Sequence, residues 1–147
     1  MITQADKLLH PHDQQLVRAA VAAAEGRADV EVVVHAERSS RYPEARANDL
    51  MKALRLQRTD PRHCLFVYVA AEDRRCIVVA DAAIRPLQGT RVWSDVMNRL
   101  TIDLLHGKVG QGLADTITRL SHILAGHFPA GGQRSNGLPR ASAARGR

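Results

Sequence analysis

Apolar and polar positions along the chain alternate between two periods. From Asp13 to Arg27, Leu16, Ala20, Ala23 and Ala24 recur at helical spacing, Asp13 can cap the start, and Gly26 sits near the stop. The β-branched run Val30–Val34 has the length of a strand. Ser39 to Pro43 breaks the pattern, and Pro43 suits the first turn of a helix running to about Leu56. That helix would bury Ala47, Leu50, Met51 and Leu54. The Asp60–Pro61 pair disfavours helix, so Thr59 to His63 reads as a loop. Cys64 to Ala71 is the most apolar strand candidate, and Arg75 to Ala80 is another. Glu72–Asp73–Arg74 between them is short enough for an antiparallel hairpin. After Asp81 comes a loop with Pro86 and Gly89. A helix follows from Arg91 to about His106, with Val92, Val96, Met97, Leu100 and Leu104 inward. Gly107 and Gly110 interrupt, and a last helix over 111–127 buries Leu113, Ile117, Leu120 and Leu124.

The order is α-β-α-β-β-α-α. The β-α-β portion predicts a right-handed crossover between parallel strands, and the hairpin adds an antiparallel neighbour. The expected fold class is therefore α/β: a small mixed β-sheet covered by about four helices. If Ala70 faces Arg75 across the turn, Cys76 faces Val69 and Cys64 faces Asp81. The two sulfurs then lie too far apart along the hairpin for a disulfide, and buried free thiols are expected.

Length and composition bound the rest. At 147 residues the chain suits one domain, here placed at 13–129 with a lead-in at 1–12 and a tail at 130–147. The tail is aperiodic and rich in Gly, Ser, Ala, Pro and Arg, so it is expected to be disordered. The net charge of +6 suggests nucleic acid at first. However, four of the 21 basic residues lie in the last 19, which hold no acid. The others face 15 acids, which leaves the body at +2. With aromatics at 3%, dedicated nucleic-acid binding is not expected. No apolar run is long enough to span a bilayer, and the opening residues lack the features of a secretory leader. A cytoplasmic location is expected. Zinc spacing, a phosphate loop, G-x-G-x-x-G, H-E-x-x-H and G-x-S-x-G are all missing from the sequence.

Several stretches in order resemble the TPM domain family, over roughly Asp13 to Pro129. They are Ala24–Glu25 leading into Glu31–Val34, Thr59 before the second strand, the strand Leu65–Ala70 (LFVYVA) and the turn Asp73–Arg74–Arg75. They continue with Ile77 to Asp81, Trp93 opening a helix, and the ending Leu124–Pro129 (LAGHFP). The family includes plant thylakoid-lumen proteins linked to photosystem II repair and many bacterial proteins, and this ending is most like a bacterial subgroup described as membrane proteins. The resemblance implies divalent-cation binding and, from a plant member, acid phosphatase activity. Two departures stand out. His63–Cys64 replaces the family's Asn-Gly, and Asp81–Ala82–Ala83–Ile84 replaces its D-x-G-I. Without glycine at Ala83 that turn has fewer backbone conformations open to it, so a site it shapes would be altered.

The residues themselves offer a place for a cation. Strands one and two would start at the sheet edge where strand three ends. Asp29, Glu31, Asp60 and Asp81 would gather there, with Glu31, Asp60 and Asp81 as the metal ligands. Carboxylates suit Ca²⁺, Mg²⁺ or Mn²⁺, and such an ion can clamp a phosphate and activate water. Arg62 or His63 would then contact the phosphate. The alternative is that these are turn acids satisfied locally, with Arg62 and Arg27 as their partners and Glu31 turned to solvent. His63 and Cys64 are adjacent in a strand and so point to opposite faces, a poor arrangement for a nucleophile. Glu72 to Arg75 reads as a solvated hairpin tip or a docking handle, Trp93 as packed on the sheet, and His127–Phe128–Pro129 as an anchor for the helix end. No catalytic residue is assigned.

Two functions compete. The first is a non-catalytic accessory module that binds a protein partner or membrane-associated complex, with its basic tail on anionic lipid or the partner. The second is a divalent-metal-dependent phosphatase acting on phosphate monoesters. The first predicts acids satisfied locally and exposed apolar surface elsewhere. The second predicts a pocket at the acidic edge with its carboxylates close together.

Overall fold

The computed structural model describes residues 2–3, 8–57 and 60–131. Among these residues, four strands form one sheet in the order β1–β2–β3–β4: β1 Ile2–Thr3, β2 Val30–Glu37, β3 His63–Ala70 and β4 Arg75–Ala80. β1 and β3 each pair parallel to β2, and β4 pairs antiparallel to β3. The helices are α1 Pro11–Arg27, α2 Pro43–Gln57, α3 Arg91–Leu105 and α4 Val109–Ala125, with a 3₁₀ turn at Arg85–Gly89. The α/β reading holds: β2–α2–β3 is the crossover and β3–β4 the hairpin. Ala70 pairs with Arg75 and Val69 with Cys76 as anticipated, and both cysteines are free. None of the described helices is long and apolar enough to cross a membrane.

The sheet separates two cores. Val30, Val32, Val34 and Ala36 of β2 and Leu65, Val67 and Val69 of β3 pack under α1, α3 and α4. On the other face Val33, Cys64, Phe66, Tyr68 and Ala70 pack under Ala47 and Met51 of α2. Both faces of β3 are covered, which is why it reads as an unbroken apolar run rather than an alternating one.

Differences from the sequence reading have identifiable causes. The lead-in is partly structured, because Ile2 and Thr3 pair with Val34 and His35. α1 begins two residues early, at Pro11. The fixed φ of proline suits that position, and the His10 side chain accepts from the His12 N–H. Its buried face is Val17, Ala20, Val21 and Ala24, so Leu16 is half-buried and Ala23 is exposed. β2 continues three residues past Val34. In α3, Trp93 is buried as expected, while Val92 is exposed. Thr59 and residues 132–147 of the tail lie outside the described residues. The helix end at His127–Pro129 does anchor. The Asp29 N–H donates to the Phe128 carbonyl at 2.7 Å, and the His63 ring lies 4.6 Å from that of Phe128.

α4 differs most instructively. It starts at Val109 and runs straight through Gly110 and Gly112. These glycines are contact points rather than breakers. A Cβ at Gly110 would collide with the Cβ and carboxylate of Asp13 on α1, and one at Gly112 would lie 2.9 Å from the Asp103 Cβ on α3. Gly107 makes the turn before α4 at φ 76°, where a side chain is strained.

Gly110→Ala should therefore lower stability by about 1–3 kcal/mol through overpacking, seen as a drop in the urea midpoint. Asp13→Ala should not restore it, because the Asp13 Cβ itself is part of the collision. Full rescue by that second change would disprove the close-approach account.

Candidate functional site

The starting edge of the parallel strands is where the sequence placed its acids. Register puts Glu31 beside Cys64, and Cys64 beside Asp81. Glu31 and Asp81 are therefore separated by a whole strand, roughly 10 Å between backbones at the usual sheet spacing. Each acid here has local partners. Asp81 Oδ2 accepts from the Cys64 N–H at 2.9 Å and lies 3.3 Å from His63 Nδ1. Its Oδ1 accepts from the Ile84 N–H at 3.4 Å, so this side chain ties the end of β4 to the start of β3. Asp60 binds Arg62 through both oxygens, with Nη2 to Oδ2 at 2.6 Å, and also accepts from the Arg62 N–H. Glu25 accepts from the Val32 N–H at 2.9 Å. The Arg62 guanidinium is held above its ordinary pKa chiefly by Asp60, with Glu25 and Glu31 adding to the field. Arg62 thus brings a positive charge to this edge. Among the described residues no three or more His, Cys, Asp or Glu side chains form a group able to hold a metal ion. Asp29 serves through its backbone, whose carbonyl accepts from the His63 N–H.

The opposite edge carries a constellation that sequence reasoning missed. Glu37 at the end of β2 accepts from Arg46 Nη2 of α2 at 2.6 Å and from the Tyr68 hydroxyl of β3 at 2.7 Å. His35 Nε2 is 3.3 Å away from the same carboxylate. Arg46 beside it, with Tyr68 and His35, holds the Glu37 carboxyl down to about 2 against the opposing effect of burial. Burial pushes the Tyr68 hydroxyl up, and its bond to Glu37 adds to that. The signal was in the sequence: Val33, His35 and Glu37 alternate onto one face once β2 is not cut at Val34.

The remaining chemistry is subdued. Cys64 is buried as expected, but Cys76 only partly so. Desolvation pushes the Cys76 thiol up to about 12, and the Cys64 Sγ lies 3.9 Å from Met51 Sδ, so neither thiol is poised as a nucleophile. A cavity of about 70 Å³ lies beside Cys76, lined by Arg74, Met97, Leu100, Thr101 and Leu104. Small-molecule sites are commonly about 300 Å³ or more.

A lowered carboxyl pKa stabilises the fold above the ordinary value of 4.5, and that contribution is lost as pH falls toward 2. Wild type should exceed Glu37→Gln by roughly 2 kcal/mol at neutral pH, allowing for solvent screening at half-exposed Arg46. Urea unfolding at a series of pH values should show the gap closing between about 4.5 and about 2. A gap independent of pH would mean that Glu37 contributes by packing alone.

Comparison with known proteins adds the family. The fold is similar to the BA42 protein of the psychrophilic bacterium Bizionia argentinensis, at TM-score 0.74 and 26% identity, covering 89% of this chain and 91% of that one. It is also similar to the N-terminal domain of a protein from P. gingivalis, at TM-score 0.64 and 15% identity over 86% and 82% of the two chains. A third similar structure is the N-terminal domain of a Corynebacterium glutamicum protein, at TM-score 0.55 and 17% identity over 84% and 78%. No curated protein matches the sequence significantly. The TPM domain model matches residues 2–123, most of the chain, and the protein belongs to the TPM domain family.

Proposed function

We propose that this TPM domain is a non-catalytic binding module that docks on a protein partner or a membrane-associated complex. The observation that carries this reading is the local engagement of the edge acids. Asp60 is closed by Arg62, and Asp81 by the Cys64 and Ile84 amides and His63. A phosphatase built on them would first have to break those bonds, and Arg62, with Nε and Nη2 committed to Asp60, would meet a phosphate with fewer of its donors. Exposed apolar side chains lie elsewhere, on α3: Val92 at 60%, Ile102 at 51% and Leu105 at 64% exposure. Both features support the binding reading. Ca²⁺, Mg²⁺ or Mn²⁺ enters this reading only as a structural ligand at the same edge.

The test pairs activity with stability. The chelator-stripped chain is supplied with Ca²⁺, Mg²⁺ or Mn²⁺, assayed on p-nitrophenyl phosphate, and melted beside Asp60→Asn and Asp81→Ala. The expected result is no hydrolysis above that of either variant. A bound ion at about 100 times its Kd would add roughly 2.7 kcal/mol and raise the melting midpoint by several degrees. A rise in wild type alone would establish a structural cation. Hydrolysis that depends on the ion and vanishes in folded Asp60→Asn would replace the binding reading with the phosphatase.

A further inference from the structure

Among the described residues β4 is the outermost strand on its side of the sheet, and apart from Arg75 its sequence RCIVVA is uncharged and rich in β-branched residues. Such an edge pairs readily with another strand unless something prevents it. The register decides which of its backbone groups face outward. The Asp81 N–H donates to the Cys64 carbonyl, so 64 and 81 form a hydrogen-bonded pair. By alternation, Phe66 with Val79, Tyr68 with Ile77 and Ala70 with Arg75 are hydrogen-bonded pairs too. The N–H and C=O groups of Cys76, Val78 and Ala80 therefore point away from β3. Two of those outward carbonyls are occupied. Gln88 Nε2 donates to the Val78 carbonyl at 3.0 Å, and Arg85 Nη2 to the Ala80 carbonyl at 3.4 Å. Both side chains come from the 3₁₀ turn Arg85–Gly89, which lies against the edge.

We propose that β4 is a latent self-association edge that Gln88 and Arg85 hold shut, and that the occupant it fits is β4 of a second copy of this chain. Antiparallel pairing about Val78 is two-fold symmetric and so closes as a dimer. It sets Val78 against Val78 of the second copy and Cys76 against its Ala80, so every outward-facing residue finds a hydrogen-bonding partner. The same register places Arg75, which pairs with Glu44 of α2 at 2.9 Å, opposite Asp81 of the second copy, so no like charges meet there. It also places Ile77, half-buried here, opposite the half-buried Val79. Sliding by two residues sets Ala80 against Arg74, or Cys76 against Ala82, outside the strand, while sliding by one turns the pairing groups away. The two carbonyls this dimer needs most, at its centre and its end, are those the turn covers.

The full chain and an Arg85→Ala/Gln88→Ala variant are compared by sedimentation velocity over a wide concentration range, with far-UV circular dichroism to check folding. Wild type is expected at the one-chain mass of 16.1 kDa. The variant is expected to move to twice that mass as concentration rises. In its dimer the Val78 and Ala80 amides should exchange at least tenfold more slowly than in wild type. A folded variant that stays at one-chain mass overturns the proposal. So does a wild-type dimer with protected Val78 and Ala80 amides, or a variant dimer in which those amides are unchanged.

Discussion

The double burial of β3 is the constraint on which the architecture depends. From Cys64 to Ala70 every residue is buried, and alternate side chains enter different cores. A strand with no solvent face requires a layer on each side and a strand at each margin. α1, α3 and α4 supply one layer, α2 the other, and β2 and β4 the margins. The two layers are unequal. Three helices bury a broad face, whereas α2 alone leaves Ile77 and Val79 of β4 half-exposed. The close crossing of α1 and α4, possible because Gly110 has no side chain, lets the three-helix layer sit within reach of the sheet.

Charge gathers at the two ends of the sheet because neither face has room for it. At each end an arginine meets a carboxylate at short range: Arg62 with Asp60 at one, Arg46 with Glu37 at the other. These pairs are partly shielded, and each carboxylate also accepts hydrogen bonds from neighbouring groups, the arrangement in which an ion pair contributes rather than merely breaking even. The Arg46–Glu37 pair joins α2 to the end of β2, whereas Asp60 and Arg62, two residues apart, order the loop that enters β3. Carboxylates used in this way are poor metal ligands unless their partners leave, which is the physical basis for reading the domain as a binding module.

The hairpin register and the free thiols were legible because they depend on turn length and the two-residue repeat, both local. So was the β-α-β order, from Pro43 and the two apolar runs. The Glu37 constellation was not. His35 and Glu37 look like polar residues after a strand has ended, and only the arrival of Tyr68 from β3 and Arg46 from α2 extends the strand around them. The acidic edge was legible as a list of residues but not as a geometry. That Asp29, Glu31, Asp60 and Asp81 share one edge follows from topology. That Cys64 lies between Glu31 and Asp81, and that Asp60 turns to Arg62, does not.

The sequence by itself determined the elements from α1 to α4, their order, the β2–β3 and β3–β4 pairings and the family to which the chain belongs, but not β1. These rest on periodicity, turn chemistry and local motifs, which act over a few residues. Tertiary structure alone decided which glycines are contacts, which side chains close the outer edge of β4 and which charges neutralise one another. Those outcomes depend on distances between groups far apart in the chain, and such distances exist only once the helices have packed on the sheet.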